Sequence, residues 1–141
     1  MEGPDFLRGQ FTRVHEWVFD GGATLPASAS PHVVPKPYAA EEPVDPEEAF
    51  IASVASCHML TFLHLASRAK FEVAAYEDEA IGTMTKNEAG VPWVSEIVLH
   101  PNITWKDGNE PDAAALEKLH HDAHAYCFIA NSVKTAIRVA S

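Results

Sequence analysis

DPEEAFIASVASCHMLTFLHLASRAK, residues 45–70, is the stretch that organises the chain. Asp45 can cap a helix through its side-chain oxygen, and Pro46 suits the first helical position. Glu47 and Glu48 favour the positive end of the helix dipole. Arg68 and Lys70 suit the negative end, so the predicted helix runs to about Lys70 and spans ~37 Å at the α-helical rise. Residues 49–66 hold no Asp, Glu, Lys or Arg, which reaches the lower length limit for a membrane span. They do contain His58, His64, Ser53, Ser56, Cys57 and Thr61. A helix apolar on nearly all sides also suits the centre of a soluble core, and we read it so, with no membrane as partner.

Outward toward the N-terminus, Pro31, Pro35, Pro37 and Pro43 make residues 30–44 an extended loop. Residues 10–20 alternate in part. Phe11, Arg13, His15, Trp17 and Phe19 share one strand face, Gly21-Gly22 reads as a hairpin turn, and residues 23–29 return. Outward toward the C-terminus, residues 73–85 and 91–105 read as two strands around an Asn87–Gly90 turn, the second broken or bent near Pro101. A helix is expected from Pro111 to about Tyr126. A last strand follows over 132–139, where Val133, Thr135, Ile137 and Val139 alternate with Lys134 and Arg138. The order is ββαββαβ, an α+β pattern, expected as a single domain over residues 1–141.

Charge narrows the functional classes. Ten Lys and Arg against twenty Asp and Glu give a formal net charge of −10, which opposes binding to nucleic acid or to an anionic membrane surface. The first twenty residues have no apolar secretory segment. The two cysteines lie 70 positions apart, without C-x-x-C or zinc-ligand spacing. In a reducing cytoplasm, the expected location, such a pair is free or transiently redox-active more often than a structural bridge.

Cys57 sits mid-helix with Ser53, Val54, Leu60 and Thr61 as its neighbours at helical spacing. An inert core thiol is the plain reading. Reactivity requires a neighbour that favours thiolate, and this helix has no Lys or Arg near Cys57. Arg13, on the aromatic face of the first strand, is a candidate cation, and an Arg among core-facing residues wants a carboxylate. Glu47 can serve, but it stands roughly 15 Å from Cys57 along a straight helix. Joining all three needs a break near the helix start or a carboxylate from a second chain. Cys127 lies at the end of the second helix, where irregular chain would let a thiol move, and Asn131 is a plausible helix stop. His120, His121 and His124 allow a zinc-hydrolase reading, but without H-E-x-x-H or a clear third ligand a polar helix face is the simpler account. The sequence calls for no cofactor.

Asp45-Pro46-Glu47-Glu48, followed by Cys57 in ASVASCHML, resembles the helix start and first cysteine motif of the OsmC/Ohr family. Cys127-Phe128-Ile129-Ala130-Asn131 is similar to its second motif, with Phe128 where that family usually has Pro. The resemblance implies an OsmC-like fold, with antiparallel sheets around a long central helix, in an intertwined homodimer. It implies a thiol peroxidase that reduces organic hydroperoxides. Cys57 would be the attacking thiolate, Cys127 the resolving thiol, and an Arg–Glu pair the activator. Glu47 matches that pair by motif and Arg13 by position, with Arg8 the other arginine in reach. A dithiol or lipoylated protein would be the reductant. The alternative is a non-catalytic binding or stress-response protein on the same fold.

Overall fold

The computed structural model describes residues 4–140. The chain divides into two compact units, residues 1–50 and residues 51–141.

In the first unit a short helix α1 (Pro4–Leu7) precedes the hairpin of β1 (His15–Val18) and β2 (Thr24–Ala27). Trp17 pairs with Leu25 in its antiparallel register. The turn closes where the Phe19 amide donates to Ala23 O and the Gly22 amide to Phe19 O, both at 2.9 Å. Gly22 has φ +100°, which only glycine takes without strain. The pairing is shorter than the alternation over 10–20 predicts. Before His15 the backbone turns to other partners, and the Arg13 amide donates to Tyr38 O at 2.8 Å. The proline-rich segment is irregular, as expected, and Val44 returns to bridge Ala27. That return sets the entry to α2 (Pro46–Arg68). Asp45 caps the helix by accepting from the Glu48 amide at 2.8 Å, and α2 runs unbroken for 23 residues.

In the second unit, the buried residues of α2 fall at every fourth position: Val54, His58, Phe62 and Ala66. This stripe meets α3 (Ala113–Tyr126), whose inward residues are Leu119 and Ala123. Leu65, Phe71, Val73, Tyr76, Ile103, Trp105 and Leu116 pack around them. The exit from α2 is a Schellman turn. Lys70 is left-handed at φ +69°, its amide donates to Ser67 O, and the Phe71 amide donates to Ala66 O. Asn109 ties this exit down, donating to Lys70 O at 3.0 Å and accepting from the Glu72 amide.

The two long strands expected over 73–85 and 91–105 are each divided. β3 (Val73–Asp78) and β4 (Ile81–Lys86) form one arm; β5 (Pro92–Leu99) and β6 (Pro101–Trp105) form the other. β3 pairs with β6 and β4 with β5, so one bent hairpin contributes to two sheets. The break has a local cause. Pro101 has no amide proton for the ladder, and the His100 amide leaves it to donate to the Asp78 carboxylate at 2.7 Å. The last strand, β7 (Ala136–Val139), is shorter than expected and runs parallel to β5, with Ile137 beside Ile97. A 3-10 turn over Ala130–Ser132 takes up the preceding residues. The alternation holds, with Ile137 and Val139 turned inward.

Candidate active site

Two elements of the second unit bring the cysteines together. Cys57 lies midway along α2, and Cys127 is the residue that closes α3. Asn131 acts as the helix stop through its side chain. Its amide group donates to Ala125 O at 3.0 Å and to Cys127 O at 2.8 Å, satisfying carbonyls left open at the helix end. The chain then folds back, with the Ser132 hydroxyl donating to Phe128 O at 2.7 Å. That fold points the amides of Phe128 and Ile129 at the Cys57 sulfur. The Ala130 amide donates to the Cys127 sulfur at 3.4 Å.

The two thiols are hydrogen-bonded to each other and are unequal. Burial pushes the Cys57 thiol up. Hydrogen bonds from the Cys127 thiol, the Ile129 and Phe128 amides and the Thr61 hydroxyl outweigh it, leaving Cys57 more acidic than an ordinary cysteine. Cys127 goes the other way. Burial raises it, and so does its hydrogen bond to Cys57. Cys57 is partly exposed and Cys127 buried, and neither is in a disulfide. A nucleophilic sulfur open to solvent thus stands beside a protonated sulfur that donates to it.

Thr61 is one turn beyond Cys57, and its hydroxyl donates to Cys57 O at 2.8 Å. A groove of about 550 Å³ opens from Cys57 along α2, past Leu60, Thr61 and Leu65, with Tyr126 and Phe128 forming its other wall. Phe128 is 83% exposed and Tyr126 66%, so both rings are free to cover an apolar molecule.

The other two residues expected at the site belong to the first unit. Arg13 donates through its guanidinium to Gly9 O at 2.9 Å and to Phe11 O, and lies over the Phe11 ring at 3.5 Å. Its partners among the described residues are carbonyls and a ring, not a carboxylate. Glu47 is half-buried in the first turn of α2.

Of the three histidines on α3, His120 turns inward. His58 and His120 share a hydrogen bond of 3.0 Å between Nε2 and Nδ1, with their ring planes 7° from parallel. Burial holds His58 down to about 4, aided by the charges of His120 and His124, and burial also lowers His120. Both are neutral near pH 7. Among the described residues no three His, Cys, Asp or Glu side chains converge as a metal set, which leaves the zinc reading without a site. Three contributions escaped sequence reasoning: the Phe128 and Ile129 amides, the hydrogen-bonding role of Thr61, which was placed beside Cys57 by spacing alone, and the His58–His120 pair. Only Thr61 had a signal, its position four residues after Cys57.

The comparisons with known proteins agree with this geometry. A family model described as OsmC-like protein matches residues 40–141. An OsmC-like protein of unknown function from Vibrio cholerae O1 biovar eltor has a solved structure 47% identical in sequence. It superposes with a TM-score of 0.92 over 96% of this chain and 88% of its own. An organic hydroperoxide resistance protein from Elizabethkingia anophelis is 18% identical, with a TM-score of 0.71 over 92% of this chain and 89% of its own. A protein from Legionella pneumophila, described as the organic hydroperoxide resistance protein OsmC, is 17% identical, with a TM-score of 0.63 over 91% and 95%. At these two identities the likeness is one of fold. No curated protein matches.

Proposed function

Since the chain belongs to the OsmC-like protein family, we propose that it is a cysteine-based peroxidase that reduces organic hydroperoxides to alcohols. The observation that carries this reading is the polarised thiol pair. Cys57 is made acidic by the hydrogen-bond donors around it, and one of them is the very thiol that could join it in a disulfide. Two inert core cysteines need no such asymmetry. The relatives named for hydroperoxide resistance share the fold.

The chemistry follows from that pair. The Cys57 thiolate attacks the outer peroxide oxygen, and the O–O bond breaks. The alkoxide leaves and takes up a proton, giving the alcohol, while Cys57 is oxidised to the sulfenic acid. The Cys127 sulfur then displaces hydroxide from the sulfenic sulfur. With the Cys127 proton this leaves as water, and a Cys57–Cys127 disulfide remains. A dithiol, small or carried as a lipoyl group on a protein, returns both thiols by exchange and is itself oxidised to a disulfide. Arg13 and Glu47 are assigned in this proposal as the ion pair that further favours thiolate at Cys57.

In this family the apolar helix α2 is the core helix of a soluble fold, although its length and composition alone would allow a membrane span. We place the protein in the cytoplasm, where an external dithiol keeps such a pair reduced. OsmC/Ohr proteins are commonly dimeric, and a homodimer is part of the proposal.

The test is consumption of cumene or tert-butyl hydroperoxide with dihydrolipoamide as reductant. Turnover that disappears in Cys57→Ser supports the reading. No consumption by the wild-type protein, or full turnover in the serine variant, ends it.

A further inference from the structure

The groove that starts at Cys57 is mostly apolar, with a cation at its far end. Cys57, Thr61, His64, Leu65 and Arg68 stand at i, i+4, i+7, i+8 and i+11 of α2, and all five line it. Eleven residues at 100° each bring Arg68 within about 20° of the direction of Cys57, and the α-helical rise separates them by roughly 16 Å. Between them lie Thr61 and His64, with Leu60, Leu65 and the Phe128 ring supplying apolar surface beside the track. Its far end carries the Arg68 guanidinium. In a chain of net charge −10, this cation lines the same groove as the reactive sulfur, borders on its other side the surface of Lys118 and Asp122, and forms no ion pair among the described residues.

We propose that Arg68 is a specificity-determining residue. It anchors the anionic head of a long-chain substrate whose apolar body lies along α2 and whose reacting group reaches Cys57. The inference rests on the peroxidase reading for the identity of the reacting group, a hydroperoxide. The anchor itself is a binding property and can be tested apart from turnover. The separation fits a carboxylate on the order of a dozen extended methylenes from the peroxide, given the helical rise. Arginine suits the role because its planar fork accepts a carboxylate through two charge-assisted hydrogen bonds. His64, one turn before Arg68, borders the same end. The plain role of Arg68, a cation at the helix C-terminus, is indifferent to the charge of any substrate.

Calorimetry with dodecanoate and its methyl ester separates the two. The wild-type protein binds the anion more tightly than the ester. Arg68→Gln removes that preference, a loss of about tenfold in affinity for the anion, and Arg68→Lys restores part of it. Raised salt weakens the anion alone, in the wild type, whatever the folding of the variants. Equal affinity for acid and ester, or a preference that survives Arg68→Gln, overturns the inference. In turnover, the ratio of kcat/KM for linoleic acid hydroperoxide over its methyl ester falls by the same factor in Arg68→Gln, and this ratio cancels any general loss of active protein. Failure to consume tert-butyl hydroperoxide sinks the peroxidase reading while the binding result still decides the role of Arg68.

Discussion

The Cys127 thiol donates its hydrogen bond to the Cys57 sulfur, so Cys57 is held below the ordinary cysteine range and Cys127 above it. The direction is set by the surroundings. Cys57 also receives the Phe128 and Ile129 amides and the Thr61 hydroxyl, whereas Cys127 is 1% exposed, where charge is costly. One sulfur is therefore prepared to attack and the other to follow.

Removing Cys127 should change both steps. Cys127→Ser keeps a weaker donor near Cys57, so the Cys57 pKa rises only slightly. Cys127→Ala removes the donor and raises it further, because the thiolate loses a hydrogen bond that favours it. Alkylation rate against pH reads the shift. Both variants should consume one equivalent of hydroperoxide and stop at a sulfenic acid that dimedone traps. An intact-mass disulfide within one chain of either variant is impossible, so continued turnover at the wild-type rate would remove Cys127 from the cycle.

Thr61 offers a cleaner probe, because it leaves both sulfurs in place. Thr61→Val keeps the shape and loses the hydroxyl that donates beside Cys57. The Cys57 pKa should rise, and thiol reactivity below that pKa should fall with it. Thr61→Ser should restore the wild-type profile. An unchanged alkylation profile in the valine variant would confine Thr61 to its bond with the Cys57 carbonyl.

Arg13→Ala tests the assigned ion pair. If Arg13 favours the Cys57 thiolate, its removal raises the Cys57 pKa and slows hydroperoxide reduction at neutral pH, and Glu47→Gln follows in the same direction. An unaltered pH profile of thiol reactivity in Arg13→Ala would return the residue to what its contacts alone describe, a clamp on the Gly9 and Phe11 carbonyls.

The parts of this architecture that were legible in sequence are those governed by local chemistry. Asp45, Pro46 and Glu47 announce the start of α2 because a cap, a preset φ and a favourable charge all act within one turn. Gly21-Gly22 announces its hairpin for a similar reason. The exit of α2 was less legible. Lys70 takes the left-handed position usually filled by glycine, and it is held there by Asn109, far along the chain. Pro101 announced the break in the second arm, but the matching break in the first arm, where Asp78 takes the His100 amide across 22 positions, had no local signal. At the site, the meeting of Cys57 with Cys127 was readable only through family likeness. The amides of Phe128 and Ile129 have no side-chain signature, because any residue supplies them. The pairing of His58 with His120 was hidden by the histidines around it, which give α3 the look of a polar face.

That buried pair makes stability depend on pH. His58 lies near 4 in the folded chain and near 6.5 when unfolded. The unfolded chain therefore binds more protons between these values, and stability falls as pH is lowered through them. His120 is shifted in the same direction by burial. The contribution is fully present above about pH 6.5 and is lost progressively toward pH 4, on the order of 3 kcal/mol for His58. Urea unfolding at a series of pH values between neutrality and pH 4 reads it as a falling midpoint at constant slope. Replacing both members together, His58→Phe with His120→Leu, avoids an orphaned imidazole and should flatten the part of the profile that the pair supplies. A profile just as steep in the double variant would mean that carboxylates, not these imidazoles, set the acid sensitivity.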